Sequence, residues 1–172
     1  IPDTIPNWIN GEECAAVSGQ TFDNLSPHSG QKLCQVVRSN ENDVTAAIQA
    51  ARKAQAAWAD ITPVQRGDIL HDITLAMRNN REEIATIVAT ETGMSVNAAL
   101  GEVGGAIAQG EFMAGEGRRF YGRTTTSAVS NKYNMTVRQP LGVAGLIIAA
   151  NTPIAKVAGK VFPALLGGNA AV

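Results

Sequence analysis

The chain is short of cysteine and of net charge. Cys14 and Cys34 are its only two cysteines in 172 residues, too few for a disulfide scaffold and without metal-ligand spacing. A formal net charge of -1 gives no electrostatic case for binding nucleic acid or an anionic membrane. Arg118, Arg119, Arg123 and Lys132 flank Phe120 and Tyr121. Without a basic excess over the whole chain, that cluster reads as a solvated helix end rather than a nucleic-acid patch. No run of roughly 18 or more apolar residues occurs, so no span of a bilayer is expected. The opening stretch IPDTIPNWIN lacks a basic segment followed by an apolar one, and is expected not to be a signal peptide. A cytoplasmic location is the expectation that follows.

What is present is enough for one domain with a real core: 172 residues, 45% of them hydrophobic. The N-terminal part reads as β ribbon. Asn10-Gly11 in WINGEE is the dipeptide of a type I′ hairpin turn, where both residues must tolerate positive φ. FDNLSPHSGQKLCQVV places a Pro27-to-Gly30 turn between two alternating stretches, with His28 solvated in that turn.

Helical periodicity follows. Val44, Ala47, Ile48, Ala51, Ala54 and Trp58 recur at three and four residues, with Trp58 expected as a core anchor. Thr62-Pro63-Val64-Gln65 predicts a capping box with proline at the first helical position. Ile69, Leu70, Ile73, Ala76 and Met77 form the expected buried stripe of that helix, with His71 at its boundary. Asn80 and Glu83 repeat the capping pattern, and Gly93 predicts a stop. From Ser95 to Gly122 the apolar spacing of Val103, Ile107 and Ala114 is helical, yet Gly101, Gly104, Gly105, Gly110, Gly115 and Gly117 fall within it. Each interior glycine costs roughly 1 kcal/mol against alanine. Such a helix needs close packing against another backbone, or it breaks. Gly115-x-Gly117 is no dinucleotide fingerprint, because no strand precedes it. SAVSNKYNMTVRQPLG then reads as a hairpin with Tyr133, Met135 and Val137 alternating and a turn at Asn131-Lys132. Too small to stand alone, it is expected to lie on another part of the molecule or on another subunit.

The closing stretch carries the chemistry. GVAGLIIAA is apolar almost without alternation, as a parallel strand covered on both faces would be. Thr152-Pro153 is expected to cap a helix whose buried face is Val157, Ala158, Val161, Phe162 and Leu165. Gly167-Gly168 ends it, and NAAV begins a second strand. The result is a β-α-β crossover, the first unit of a doubly wound parallel α/β sheet. Asn151 stands beyond the carboxyl end of the first strand, where such sheets bind ligands. Local pattern leaves two roles open there: a cap or turn residue, or an amide donor to a developing oxyanion.

RQPLGVAGLIIAANTPIAKVAGKVFPALLGGNAAV resembles the aldehyde dehydrogenase superfamily pattern P-x-G-V-x-G-x-I-x-x-x-N-x-P … K-x-x-P-A-L-x-x-G-N-x-x-V. Upstream, WINGE, NLSPHSGQKLCQV, DVTAAIQAARKAQAAW and ETGMSVNAALGEV are similar to further segments of the family, so the likeness covers essentially the whole chain. It implies an α/β fold of N-terminal β ribbons and helices leading into an incomplete doubly wound sheet. Residues 1–122 and 140–172 would form part of an NAD(P)-binding domain. Residues 123–139 would be a β-hairpin contributing to oligomerisation, with the catalytic domain outside this chain. Asn151 would be the side-chain donor of the oxyanion hole. Lys160 would match a helix lysine near the active site, with a proton-relay or structural role; from the residues alone it is equally a lysine snorkelling to solvent. Ile147, Ile148, Ala149 and Ala150 would sit beside the NAD or NADP cofactor.

Two positions depart from the pattern. Ala150 stands where many members carry an aromatic residue, and Gly159 where a bulkier residue is common. The family's cysteine nucleophile, glutamate base and cofactor-binding lysine lie downstream of Val172 in relatives. Cys14 and Cys34 lack the motif of that nucleophile and read as small packing residues. The resemblance therefore implies the N-terminal portion of an NAD(P)-dependent aldehyde dehydrogenase, inactive by itself, acting on a small-molecule aldehyde as a homo-oligomer or with a missing C-terminal portion. The alternative is a non-catalytic assembly module that uses the Ser127-to-Arg138 ribbon. A third reading, an unrelated nucleotide-binding α/β domain, lacks a glycine-rich loop after any strand.

Overall fold

A computed structural model describes residues 1–172. Short strands open the chain: β1 (Thr4–Ile5), β2 (Asn7–Ile9), β3 (Glu12–Cys14), β4 (Thr21–Leu25) and β5 (Lys32–Val37). β2 and β3 form an antiparallel hairpin turned by Asn10 and Gly11 at φ 57° and 80°, the type I′ conformation their sequence predicts. β4 and β5 pair antiparallel, and β1 adds in parallel to β5, giving the order β1-β5-β4. His28 is exposed in the turn between β4 and β5.

Five helices follow: α1 (Glu41–Asp60), α2 (Pro63–Asn79), α3 (Arg81–Thr92), α4 (Val96–Glu116) and α5 (Pro153–Leu166). α2 starts with the expected capping box, Thr62 accepting from the Gln65 amide at 3.2 Å and Gln65 accepting from the Thr62 amide at 2.9 Å. Gly93 ends α3 in the left-handed conformation, as expected. Asn80 does not repeat the box: its amide nitrogen donates back to the Ala76 carbonyl at 2.8 Å and so closes α2 instead.

α4 runs unbroken through its glycines and forms the centre of the core. One cluster joins Leu70 of α2, Ala106 of α4 and Ala158, Phe162 and Leu166 of α5. A second joins Ala85 and Val88 of α3 to Ala99, Val103 and Ile107 of α4. The close backbone approach expected for α4 occurs at two places. A Cβ on Gly110 would lie 2.5 Å from Thr74 Oγ1 and 2.6 Å from a Phe162 ring carbon. Gly117, in the short 3-10 turn after α4, faces Gly67 of α2, where an added Cβ on either would meet a backbone oxygen at 2.5 Å. Gly101, Gly104, Gly105 and Gly115 face no such neighbour.

This approach moves the buried stripe of α2. Arg66, Gly67, Leu70 and Thr74 are buried, whereas the expected Ile69, Ile73 and Ala76 are exposed. α4 presses closest at Gly67 and Thr74, and Ile69 and Ile73 fall to the side of that line. His71 is exposed rather than at a packed boundary. The apolar face of α1 is only half-buried, with Val44 exposed. Together with Trp8, Ile9, Leu165 and residues 170–172 it lines a groove of about 640 Å³. Trp58 is therefore not enclosed in the core; its indole nitrogen anchors it by donating to the Leu165 carbonyl at 2.8 Å.

Arg66 is the polar pin between α1, α2 and α5. Its Nε donates to the Leu166 carbonyl at 2.9 Å, and one Nη donates to the carbonyls of Trp58, Ala59 and Ile61. It thus satisfies carbonyls left open at two helix ends. Burial pulls its guanidinium below the usual arginine value.

The predicted hairpin is β6 (Thr124–Thr126) and β7 (Tyr133–Met135), antiparallel, with Asn131 at φ 62° in its turn. Tyr133, Met135 and Val137 stand 89%, 69% and 69% exposed, so nothing within this chain covers the ribbon. The closing crossover is β8 (Val143–Ala144), α5 and β9 (Ala170–Ala171), the two strands parallel. No helix is long and apolar enough to cross a membrane.

Candidate functional site at the β8–α5 turn

Asn169 fixes the base of the crossover. Its Oδ1 accepts from the amides of Leu141 and Gly142 at 2.7 and 3.0 Å, and its Nδ2 donates to the Ala164 carbonyl at 3.0 Å. One side chain thus ties the entry of β8 to the end of α5. Beyond the paired residues, the Leu146 amide donates to the Val172 carbonyl at 2.7 Å. From there the segment leaves the ladder. The apolar run GVAGLIIAA is accordingly a shorter strand than its pattern predicts. Ile147 is exposed rather than covered, Ile148 is half-buried, and Ala149, Ala150 and Asn151 are exposed.

Two lysines of α5 reach back over this segment. Lys160 Nζ donates to the Ile147 carbonyl at 2.5 Å. It does not simply snorkel into water; it staples the helix to the strand end. Lys156 Nζ donates to Asn151 Oδ1 at 2.5 Å. An ammonium group has only donors to offer, so the Asn151 atom it meets must be the oxygen. The amide is thereby oriented with Nδ2 turned away from Lys156, and that NH₂ group donates to nothing within the chain. The turn therefore offers a free amide donor beside an ammonium group, and such a donor suits an oxygen that gains negative charge.

The start of α5 is held differently from the expected Thr152 cap. Thr152 makes no capping bond. Glu102 of α4 takes its place, Oε1 accepting from the amides of Ile154 and Ala155 at 2.8 and 3.2 Å, while its Oε2 is buried without a partner. Of the expected buried face, Ala158 and Phe162 are buried, Leu166 joins them, and Val157 is exposed because the helix turns its 158–162–166 line toward α4.

The structure thus gathers Ile147 to Asn151 and Lys160 around one turn, and adds Lys156 and Glu102, which the sequence did not single out. Glu102 falls in the family-like segment ETGMSVNAALGEV, but nothing local marks its role, since it acts across fifty residues of chain; Lys156 sits one turn into the helix that Asn151 precedes. Cys34 is buried, with Asn24 Nδ2 3.7 Å from its sulfur, and Cys14 is half-buried at the end of β3. Both lie in the N-terminal ribbons with no base bonded to either sulfur.

A dinucleotide fits this turn only in part. The Ile147–Ala150 ledge, exposed except for half-buried Ile148, offers apolar and small side chains to a flat ring. The amides at the α5 N-terminus, the usual seat of a pyrophosphate in doubly wound folds, already serve Glu102.

Known proteins resemble this chain in sequence and fold. The model of the Aldehyde dehydrogenase family matches residues 14–172. Succinate-semialdehyde dehydrogenase [NADP(+)] of Escherichia coli is 34% identical over 160 residues, which are 93% of this chain and 33% of that protein. Alpha-ketoglutaric semialdehyde dehydrogenase of Bacillus subtilis is 35% identical over 171 residues, 99% of this chain and 35% of that protein. The crystal structure of succinate-semialdehyde dehydrogenase from Burkholderia pseudomallei superposes with TM-score 0.92 at 35% identity, over 96% of this chain and 34% of that one. The chain spans about a third of the length of the relatives it matches.

Proposed function

The chain belongs to the aldehyde dehydrogenase family, and from that premise we propose that it supplies the oxyanion-binding turn of an NAD(P)-dependent enzyme that oxidises an aldehyde to a carboxylic acid. The observation that carries this reading is the Asn151 amide, placed beyond a parallel strand with its oxygen held by Lys156 and its NH₂ group free. When a cysteine thiolate adds to an aldehyde, the carbonyl oxygen becomes an alkoxide. Asn151 Nδ2 would donate to that oxygen, more strongly as charge grows on it, which lowers the barrier rather than merely binding substrate. Lys156 would keep the donor aimed and add positive potential. Lys160, bonded to the Ile147 carbonyl, would hold the ledge in place, which favours its structural role over proton relay. Ile147, Ile148, Ala149 and Ala150 would hold the nicotinamide of NAD or NADP, which when bound supplies the hydride acceptor.

The nucleophile and the base are assigned outside this chain, because neither Cys14 nor Cys34 lies on the elements that build the turn. The 172 residues alone are proposed to be inactive. Residues 1–122 and 140–172 are read as part of the cofactor-binding domain. Residues 123–139 are read as an oligomer-forming hairpin, a reading supported by the exposed row of Tyr133, Met135 and Val137. The same row supports a second reading, in which the chain acts as a non-catalytic assembly module. Both cysteines are free thiols, which suits a reducing cytoplasmic setting.

The test is aldehyde-dependent NAD(P)H formation, measured on this chain with its intact mass of 18.0 kDa confirmed, and on the whole polypeptide that carries it. Turnover is expected only from the latter. Turnover by the 18.0 kDa species would mean that Cys14, Cys34 or another local group does the chemistry. No turnover by the whole polypeptide, with ordered self-association of this chain, would favour the assembly module.

A further inference from the structure

We infer that Glu102 is a positioning residue for Asn151, acting through the first turn of α5; the inference rests on the oxyanion reading above. Four amides at a helix start lack intrahelical partners and are ordinarily served by the residue just before the helix. Here the side chain of that residue, Thr152, makes no capping bond, and the carboxylate comes from α4. One oxygen serves two amides, and its negative charge also suits the positive end of the α5 dipole. The other oxygen is buried without a partner. A local serine or aspartate cap would not incur that burial. What the long reach adds is registration. α4 is the helix on which both core clusters are built, and it packs on α5 where Gly110 meets Phe162. Through Glu102 the same helix fixes the backbone at residues 154 and 155. Asn151 lies three residues before Ile154, and its side chain is tied to Lys156 one residue after Ala155. Glu102 therefore clamps the very turn that sets both the backbone and the side chain of Asn151.

The test is a double-mutant cycle in the whole polypeptide. Glu102→Ala is expected to lower kcat for aldehyde oxidation about 10- to 100-fold, the scale of a reacting group misplaced by about 1 Å, with KM for NAD(P) unchanged. Glu102→Gln keeps an oxygen acceptor for the two amides and should recover most of the loss. In an Asn151→Ala background, Glu102→Ala should add no further loss of kcat, because residues acting as one unit are not additive. A full additional loss in that background would make Glu102 a general support of the fold and overturn the inference. If Asn151→Ala itself left kcat intact, the oxyanion reading would fail, and this inference with it. Should Glu102→Ala not accumulate as folded protein, Glu102→Asp, one methylene shorter, enters the same cycle with the same expected non-additivity. Hydrogen exchange gives a readout apart from activity: the Ile154 and Ala155 amides should lose protection in Glu102→Ala while α1 keeps its own. Unchanged protection at those two amides would also overturn the inference.

Discussion

Two glycine-to-alanine substitutions in the same helix should move stability in opposite directions. At Gly110 the new methyl carbon would sit 2.5 Å from Thr74 Oγ1 and 2.6 Å from a Phe162 ring carbon. Neither neighbour can yield easily. The threonine hydroxyl is buried and donates to the Leu70 carbonyl at 2.8 Å, and the ring lies in the α2–α4–α5 cluster. Overpacking of this kind costs about 1–3 kcal/mol, against which helix propensity returns at most about 1 kcal/mol. A net loss of about 1–2 kcal/mol is expected. At Gly105, also in α4, an added Cβ meets no atom within 4 Å and the position is exposed. There only the propensity gain operates, about 0.4–1 kcal/mol in favour of the folded state. The two variants should therefore differ by about 1.4–3 kcal/mol, or about 3–12 °C in Tm at this chain length. Urea denaturation followed by circular dichroism, with equal slopes for both variants, measures the gap. Shifts of the same sign and size at both positions would refute the account of α4 as a helix whose Gly110 is dictated by contact.

Other expectations follow from single contacts. Arg66→Met should destabilise the chain by about 3–5 kcal/mol, since four carbonyls at two helix ends lose a buried charged donor; denaturant melts check this. Asp23 is held below its ordinary value by its hydrogen bond to Lys32, 2.8 Å away, with burial opposing and Gln35 assisting. For a depressed carboxylate the stabilising contribution is complete above the ordinary aspartate value and is lost as pH falls through the folded-state value. Amide protection in β4 and β5, taken relative to the intrinsic exchange rate at each pH, should therefore fall below about pH 4, and Asp23→Asn should abolish that dependence. Lys156→Met frees the Asn151 amide to turn over and should lower kcat about tenfold in the whole polypeptide, the worth of one charge-assisted hydrogen bond. An unchanged kcat would remove Lys156 from the site.

Local chemistry was legible in the sequence wherever the partner was near in the chain. Asn10-Gly11 fixes its turn through its own backbone preferences. Thr62 and Gln65 close a box within one helical turn, and Gly93 stops α3 because glycine takes the left-handed conformation without a Cβ clash. The β8–α5–β9 crossover was equally plain from its apolar run, Pro153 and Gly167-Gly168. What failed to show were choices made by distant elements. Asn80 matched a cap pattern but had a competing carbonyl at Ala76. Thr152 matched one too, but Glu102 reaches the same amides from α4. The stripe of α2 was misplaced at Ile69 and Ile73 because burial there follows the line of closest helix approach, through Gly67 and Thr74, and not hydrophobicity alone. At the turn itself, Asn151 and Lys160 stood out through the family pattern, whereas the bond from Lys156 that orients the amide emerges only when the helix folds back.

The most direct test of the central claim is kcat for aldehyde oxidation by the Asn151→Ala form of the whole polypeptide, beside wild type at saturating NAD(P). Loss of a side-chain oxyanion donor predicts a fall of about 10²–10³-fold with the fold intact by circular dichroism. A kcat within experimental scatter of wild type would contradict the claim that this turn stabilises the reacting oxygen.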